Sequence, residues 1–88
     1  MGNRYVCEMK ALTGIDPKKK SRKREVVVAR AMVAYALLGE GFTTLAVAEY
    51  LGKTHPTILY YKSYLNSILT TPGYYDEKDL WEQFKQRI

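Results

Sequence analysis

The chain has 88 residues, 47% of them hydrophobic, with 14 Lys or Arg against 9 Asp or Glu and a net charge of +5. That length suits a single domain with a modest core, and the lone cysteine, Cys7, excludes an internal disulfide, so a cytoplasmic setting is expected. A membrane protein is not expected, because no secretory signal pattern is visible and the longest apolar run, residues 26–38, is broken by Arg30 and falls short of the roughly 20 residues that span a bilayer.

Tyr5, Val6, Met9 and Leu12 recur at helical spacing, and Gly14 followed by Ile15 suits a terminating glycine with its hydrophobic partner. A first helix is expected over residues 3–13. Asp16-Pro17 punctuates it, since proline disfavours helix in the residue before it.

The positive charge is local. Residues 1–38 hold nine Lys or Arg against three acids, residues 39–69 hold two against two, and residues 70–88 hold three against four. Most of the excess is one run, residues 17–24 (PKKKSRKR), with six bases in eight positions: Lys18, Lys19, Lys20, Arg22, Lys23 and Arg24. Such a run repels itself and gains nothing from burial, so it reads as a solvated loop that orders only against an anionic partner. Nucleic acid fits that partner better than an acidic protein or a membrane surface.

Residues 23–38 are apolar almost all round, and Ala29, Ala31, Ala34 and Ala36 permit close approach of neighbouring helices, so this is a central, buried helix. Arg30 within it must lie at an edge or be paired, and anchoring helices suits it better than contacting DNA. Gly39 and Gly41 end the helix, with Phe42 expected to plug the core.

Residues 44–69 have the form of a helix-turn-helix: a short amphipathic helix, a glycine break at Gly52-Lys53 and a longer second helix. Thr43 or Thr44 is a cap, and Leu45, Ala48 and Leu51 are expected to face inward. Pro56, in the first turn of the second helix, is a start signal, because its missing N–H would have no intrahelical partner there. Ile58, Tyr61, Leu65 and Ile68 then face the core. Thr57, Tyr60, Lys62 and Tyr64 are left more exposed, and Leu59 fits either side.

Residues 70–73 read as a loop and residues 76–87 as a last helix, with Asp76 as its cap and Tyr75 and Leu80 spaced as a hydrophobic staple. Leu80, Trp81, Phe84 and Ile88 give it an apolar face, expected to fold back on the domain. The alternative use of that face is as a surface for a protein partner.

Two segments carry a family resemblance, in order and at a plausible separation: KSRKREVVVARAMVAY and YLGKTHPTIL. Residues from about 15 to 69 resemble the C-terminal DNA-binding domain of the bacterial replication initiator DnaA, an all-α, Trp repressor-like unit with a basic loop and a helix-turn-helix. The resemblance implies that Arg22 or Lys23 enters the minor groove and that Lys20 and Arg24 contact phosphates. The family's recognition helix opens Gly-Arg-Asp-His-Thr-Thr-Val with Asp, His and Thr at base edges, and here the stretch reads Gly52-Lys53-Thr54-His55-Pro56-Thr57-Ile58. His55 and Thr57 are retained. Thr54 and Pro56 are departures that remove a base-edge acceptor and a hydroxyl, so the family's preferred DNA sequence does not carry over. Either a segment of a longer initiator or a stand-alone relative carried by a mobile element or phage fits these residues.

The function these readings lead to is binding of double-stranded DNA, in replication initiation or transcriptional regulation. The second helix enters the major groove with Lys53, Thr54, His55 and Thr57 near base edges, and Tyr60 and Lys62 are further candidates on that helix. The basic loop, Lys18 to Lys20 and Arg22 to Arg24, grips phosphates and the adjacent minor groove. No phosphate-cradling Gly-x-x-x-x-Gly-Lys-Ser/Thr loop, zinc-ligand set or catalytic constellation is present, so neither an enzyme, a cofactor nor a small-molecule substrate is expected. The rival from another class is a protein-interaction module on a helix-turn-helix scaffold that has lost sequence-specific DNA binding. RNA binding is less favoured, for want of a glycine-aromatic stacking motif.

Overall fold

A 16-residue helix with no continuous polar face sets the architecture. In the computed structural model, which describes residues 3–88, this helix is α2 (Arg24–Gly39), and ten of its side chains are buried. A helix apolar on all sides must be surrounded. The others do this: α1 (Asn3–Thr13), α3 (Thr44–Leu51) and α4 (His55–Thr70) pack on α2, and α5 (Tyr75–Arg87) lies against α1 and α4. The described residues are all helix and connection, with no strand. None of these helices is long and apolar enough to cross a membrane.

The helix ranges follow the sequence spacing to within a residue or two. Gly14 takes the left-handed conformation after α1 (φ 72°), and its N–H donates to the Lys10 carbonyl at 2.7 Å. Ala29, Ala31 and Ala34 are fully buried in α2, where their small side chains let flanking helices approach. The aromatic face of α5 folds inward: Phe84 is fully buried and Trp81 nearly so, Tyr5 meets Phe84 at 6.3 Å, and Tyr35 meets Trp81 edge-on at 5.4 Å.

Four expectations are corrected. Phe42 does not plug the core. It is exposed, because the chain leaves α2 through a left-handed Gly41 (φ 103°) while the Phe42 N–H returns to the Leu37 carbonyl, and Leu37 is the fully buried side chain at that end. Leu45 does not face inward and is 67% exposed. The inner face of α3 is Val47, Ala48 and Leu51, and at about 100° per residue Leu45 lies roughly 110° from its centre. Asp76 is not the cap of α5: successive left-handed residues Gly73 (φ 97°) and Tyr74 (φ 54°) start the helix one residue earlier, with Tyr74 at the cap position. Asp76 and Glu77 still sit in the first turn, where their charge suits the helix N-terminus. Tyr75, 81% exposed, makes no staple with Leu80.

Candidate nucleic-acid interface

The turn between α3 and α4 is built from local chemistry. Thr43 caps α3, its hydroxyl accepting from the Ala46 N–H at 3.1 Å. Gly52 then adopts φ 68°, ψ 35°, and the Lys53 N–H donates to the Ala48 carbonyl at 2.8 Å, closing the end of α3. α4 opens almost at once, with Thr54 at its cap position and Pro56 in its first turn. Thr54 does not cap a backbone amide with its side chain; its hydroxyl pairs with that of Thr57 at 2.8 Å.

Ile58, Tyr61, Leu65 and Ile68 bury the inner face of α4, as their spacing requires. His55 is exposed, Thr57 half-buried and Leu59 turned outward. Tyr60, 58% exposed, stacks on Tyr64 with centroids 5.7 Å apart and rings 10° from parallel. The outer surface of α4 near its start therefore carries hydroxyl, imidazole and phenol groups.

The basic loop has attachments to the body of the domain that its charge does not suggest. Pro17 is fully buried, and the Arg30 guanidinium gathers the loop's backbone: Nε donates to the Pro17 carbonyl at 2.9 Å, and Nη2 to those of Lys19 and Ser21. Asp16 adds two further bonds, from the Lys18 N–H to its carboxylate and from the Lys19 N–H to its carbonyl. Backbone carbonyls, which charge repulsion does not touch, supply the loop's attachment to α2.

The loop and the turn line one cleft of about 660 Å³, the loop with Lys18, Lys20, Ser21 and Arg22 and the end of α3 and its turn with Tyr50, Gly52 and Lys53. Lys18 Nζ sits 4.4 Å from the centroid of the Tyr50 ring. Burial, with Cys7 and Asp16 nearby, raises the Tyr50 pKa above its ordinary value, so its hydroxyl remains a donor, here to Asn3 Oδ1 at 3.1 Å. Glu49 is the acid on this lining, against four bases.

Of the candidate residues, Lys18, Lys20, Arg22 and Lys53 line this cleft; Thr54, His55, Thr57 and Tyr60 lie beyond it on α4, and Arg24 and Lys62 turn to other parts of the molecule. Arg24 begins α2 and turns toward α5, reaching Glu77 at 3.4 Å and the Tyr74 ring at 5.9 Å. Lys62 lies beside Tyr35, Leu38 and Gly39 at the end of α2, about 160° around α4 from Tyr60. Lys19 and Lys23 are exposed on the loop, Lys23 at the cap position of α2. Sequence reasoning missed Tyr50 as part of the site. It saw that Arg30 needed partners, but those partners are mostly carbonyls, which leave no mark in a sequence. Comparison with protein-family models, curated proteins and solved structures finds no match for this chain.

Proposed function

We propose that the chain is a double-stranded DNA-binding domain in which the start of α4 enters the major groove while the basic loop holds the flanking phosphates and adjacent minor groove. The observation that carries this reading is the shared cleft: three loop cations face Lys53 of the turn, and α4 begins two residues beyond it. A duplex lying along that side meets fixed positive charge and an exposed helix start together. The resemblance of residues 15–69 to the DNA-binding domain of DnaA supports the same reading, and with it a role in replication initiation or transcriptional regulation.

Specificity is modest on this reading. Lys53, Thr54, His55 and Thr57 can contact base edges, but no arginine or asparagine at the start of α4 supplies a bidentate contact to guanine or adenine. The Thr54–Thr57 hydroxyl pair presents its remaining hydrogen-bonding capacity at the surface as one unit. The protein-interaction alternative loses its best feature, since Trp81 and Phe84 are buried.

Titration of random-sequence duplex across a range of salt concentrations tests the proposal. With about five phosphates neutralised, log affinity should fall against log salt with a slope of roughly −4.5. A slope near zero, or competition by duplex RNA as strong as by duplex DNA, overturns it.

A further inference from the structure

Arg30 is 2% exposed, and no carboxylate among the described residues pairs with it. A buried cation without a counter-ion is tolerated only where its N–H groups find other partners, and a leucine or methionine would fill the same space without that requirement. The guanidinium is satisfied by the Pro17, Lys19 and Ser21 carbonyls and, through Nη1, by the Tyr61 hydroxyl at 3.1 Å. No buried polar side-chain atom among the described residues is left without a partner.

We infer that Arg30 is the positioning residue of the basic loop: it sets the loop's backbone before any partner arrives and locks it to α4 through Tyr61. The bonding pattern in the loop supports this. The carbonyls of residues 17, 19 and 21 are drawn onto the guanidinium, and Lys18, Lys20, Ser21 and Arg22, in and around that stretch, line the cleft that Lys53 also lines. Holding those carbonyls thus constrains where the loop's cations lie. Tyr61 lies between Ile58 and Leu65 on the buried face of α4, so one guanidinium fixes the loop relative to the helix proposed to read the groove. The Asp16 bonds and the Lys18–Tyr50 contact hold only the start of the loop, whereas Arg30 reaches it at three points, and presenting the cations already in place avoids an entropic cost on binding. The consequence for affinity rests on the DNA-binding reading; the positioning itself does not.

Backbone order parameters of the DNA-free protein, compared between wild type, Arg30→Lys and Tyr61→Phe, test the inference. Lysine keeps the charge but lacks the fork that reaches three carbonyls and a hydroxyl at once. Residues 18–23 should be close to the rigid value of about 0.85 in wild type and fall below about 0.6 in Arg30→Lys, while α2 and α4 keep their values. Tyr61→Phe, which retains the ring and removes only the hydroxyl, should give a smaller decrease in the same residues, and it carries the test if Arg30→Lys does not fold. Duplex affinity should drop roughly tenfold in Arg30→Lys, since an equally charged side chain rescues a phosphate contact but not a positioning fork. Unchanged loop order in the variants overturns the inference, and loop disorder with wild-type affinity overturns its link to binding. If wild type itself does not bind duplex, the DNA reading fails and the order parameters alone decide the role of Arg30.

Discussion

Lys18 of the basic loop rests on the ring of Tyr50 in the last turn of α3, its Nζ 4.4 Å from the ring centroid. The contact joins the loop to the helix-turn-helix through a side chain, in addition to Arg30's bonds to the loop's backbone.

Removing the ring should therefore be felt in stability. Tyr50→Leu should cost about 1 kcal/mol, the size of a surface cation–π contact. Tyr50→Phe keeps the ring, removes only the bond to Asn3, and should cost about 0.5 kcal/mol. Urea denaturation gives both values, and equal losses in the two variants would mean that the ring contributes nothing beyond the hydroxyl.

Loop and helix should contribute differently to DNA binding. Replacing Lys19, Lys20 and Arg22 together with alanine should weaken binding to all duplexes alike and flatten the salt dependence by about 0.9 for each phosphate that is no longer neutralised. His55→Ala or Thr57→Ala should instead shift preference among sequences by about 1 to 3 kcal/mol for each base edge that is no longer read. Selection of bound duplexes from a random pool reads both. Altered preference from the loop variant alone would reverse the assigned roles.

The same chemical change at two leucines of α3 should have opposite outcomes. Leu51→Ala, at a buried position, should cost about 2 to 5 kcal/mol, while Leu45→Ala, on the exposed side, should stay within about 0.5 kcal/mol. Denaturant midpoints measure the difference.

Two tyrosines give stability an alkaline limit. Burial raises the Tyr5 pKa, with Glu40 adding to it against an opposing Arg4; burial, then Cys7 and Asp16, raises that of Tyr50. Each folded-state value lies above the unfolded one of about 10, so their contribution is intact below pH 10 and disappears as pH rises through the folded values. The unfolding free energy should fall more steeply above about pH 10 in wild type than in Tyr5→Phe or Tyr50→Phe.

Sequence and structure agree where burial pattern and local backbone chemistry point the same way. The inward set of α4, Ile58, Tyr61, Leu65 and Ile68, follows from a helix having one period and one buried face. Gly52 follows from the need for a left-handed residue at a tight turn. The misplaced residues, Phe42, Leu45 and Tyr75, are all large and apolar, and each is exposed. Their composition says core; the orientation of the short segments they sit in decides otherwise.

By itself the sequence determined the five helices, the buried central one and the clustering of positive charge, since periodicity, capping chemistry and like-charge repulsion act over a few residues. Tertiary structure alone decided that the charged loop's backbone bonds to Arg30, that Arg24 turns to Glu77 and Lys62 to the end of α2, and that Lys18, Lys20 and Arg22 share a cleft with Lys53. The loop's placement depends on which backbone carbonyls come within reach of one buried guanidinium, and the turning of Arg24 and Lys62 on how α5 and α2 pack beside them; these are distance relations between residues far apart in the chain that no local pattern encodes.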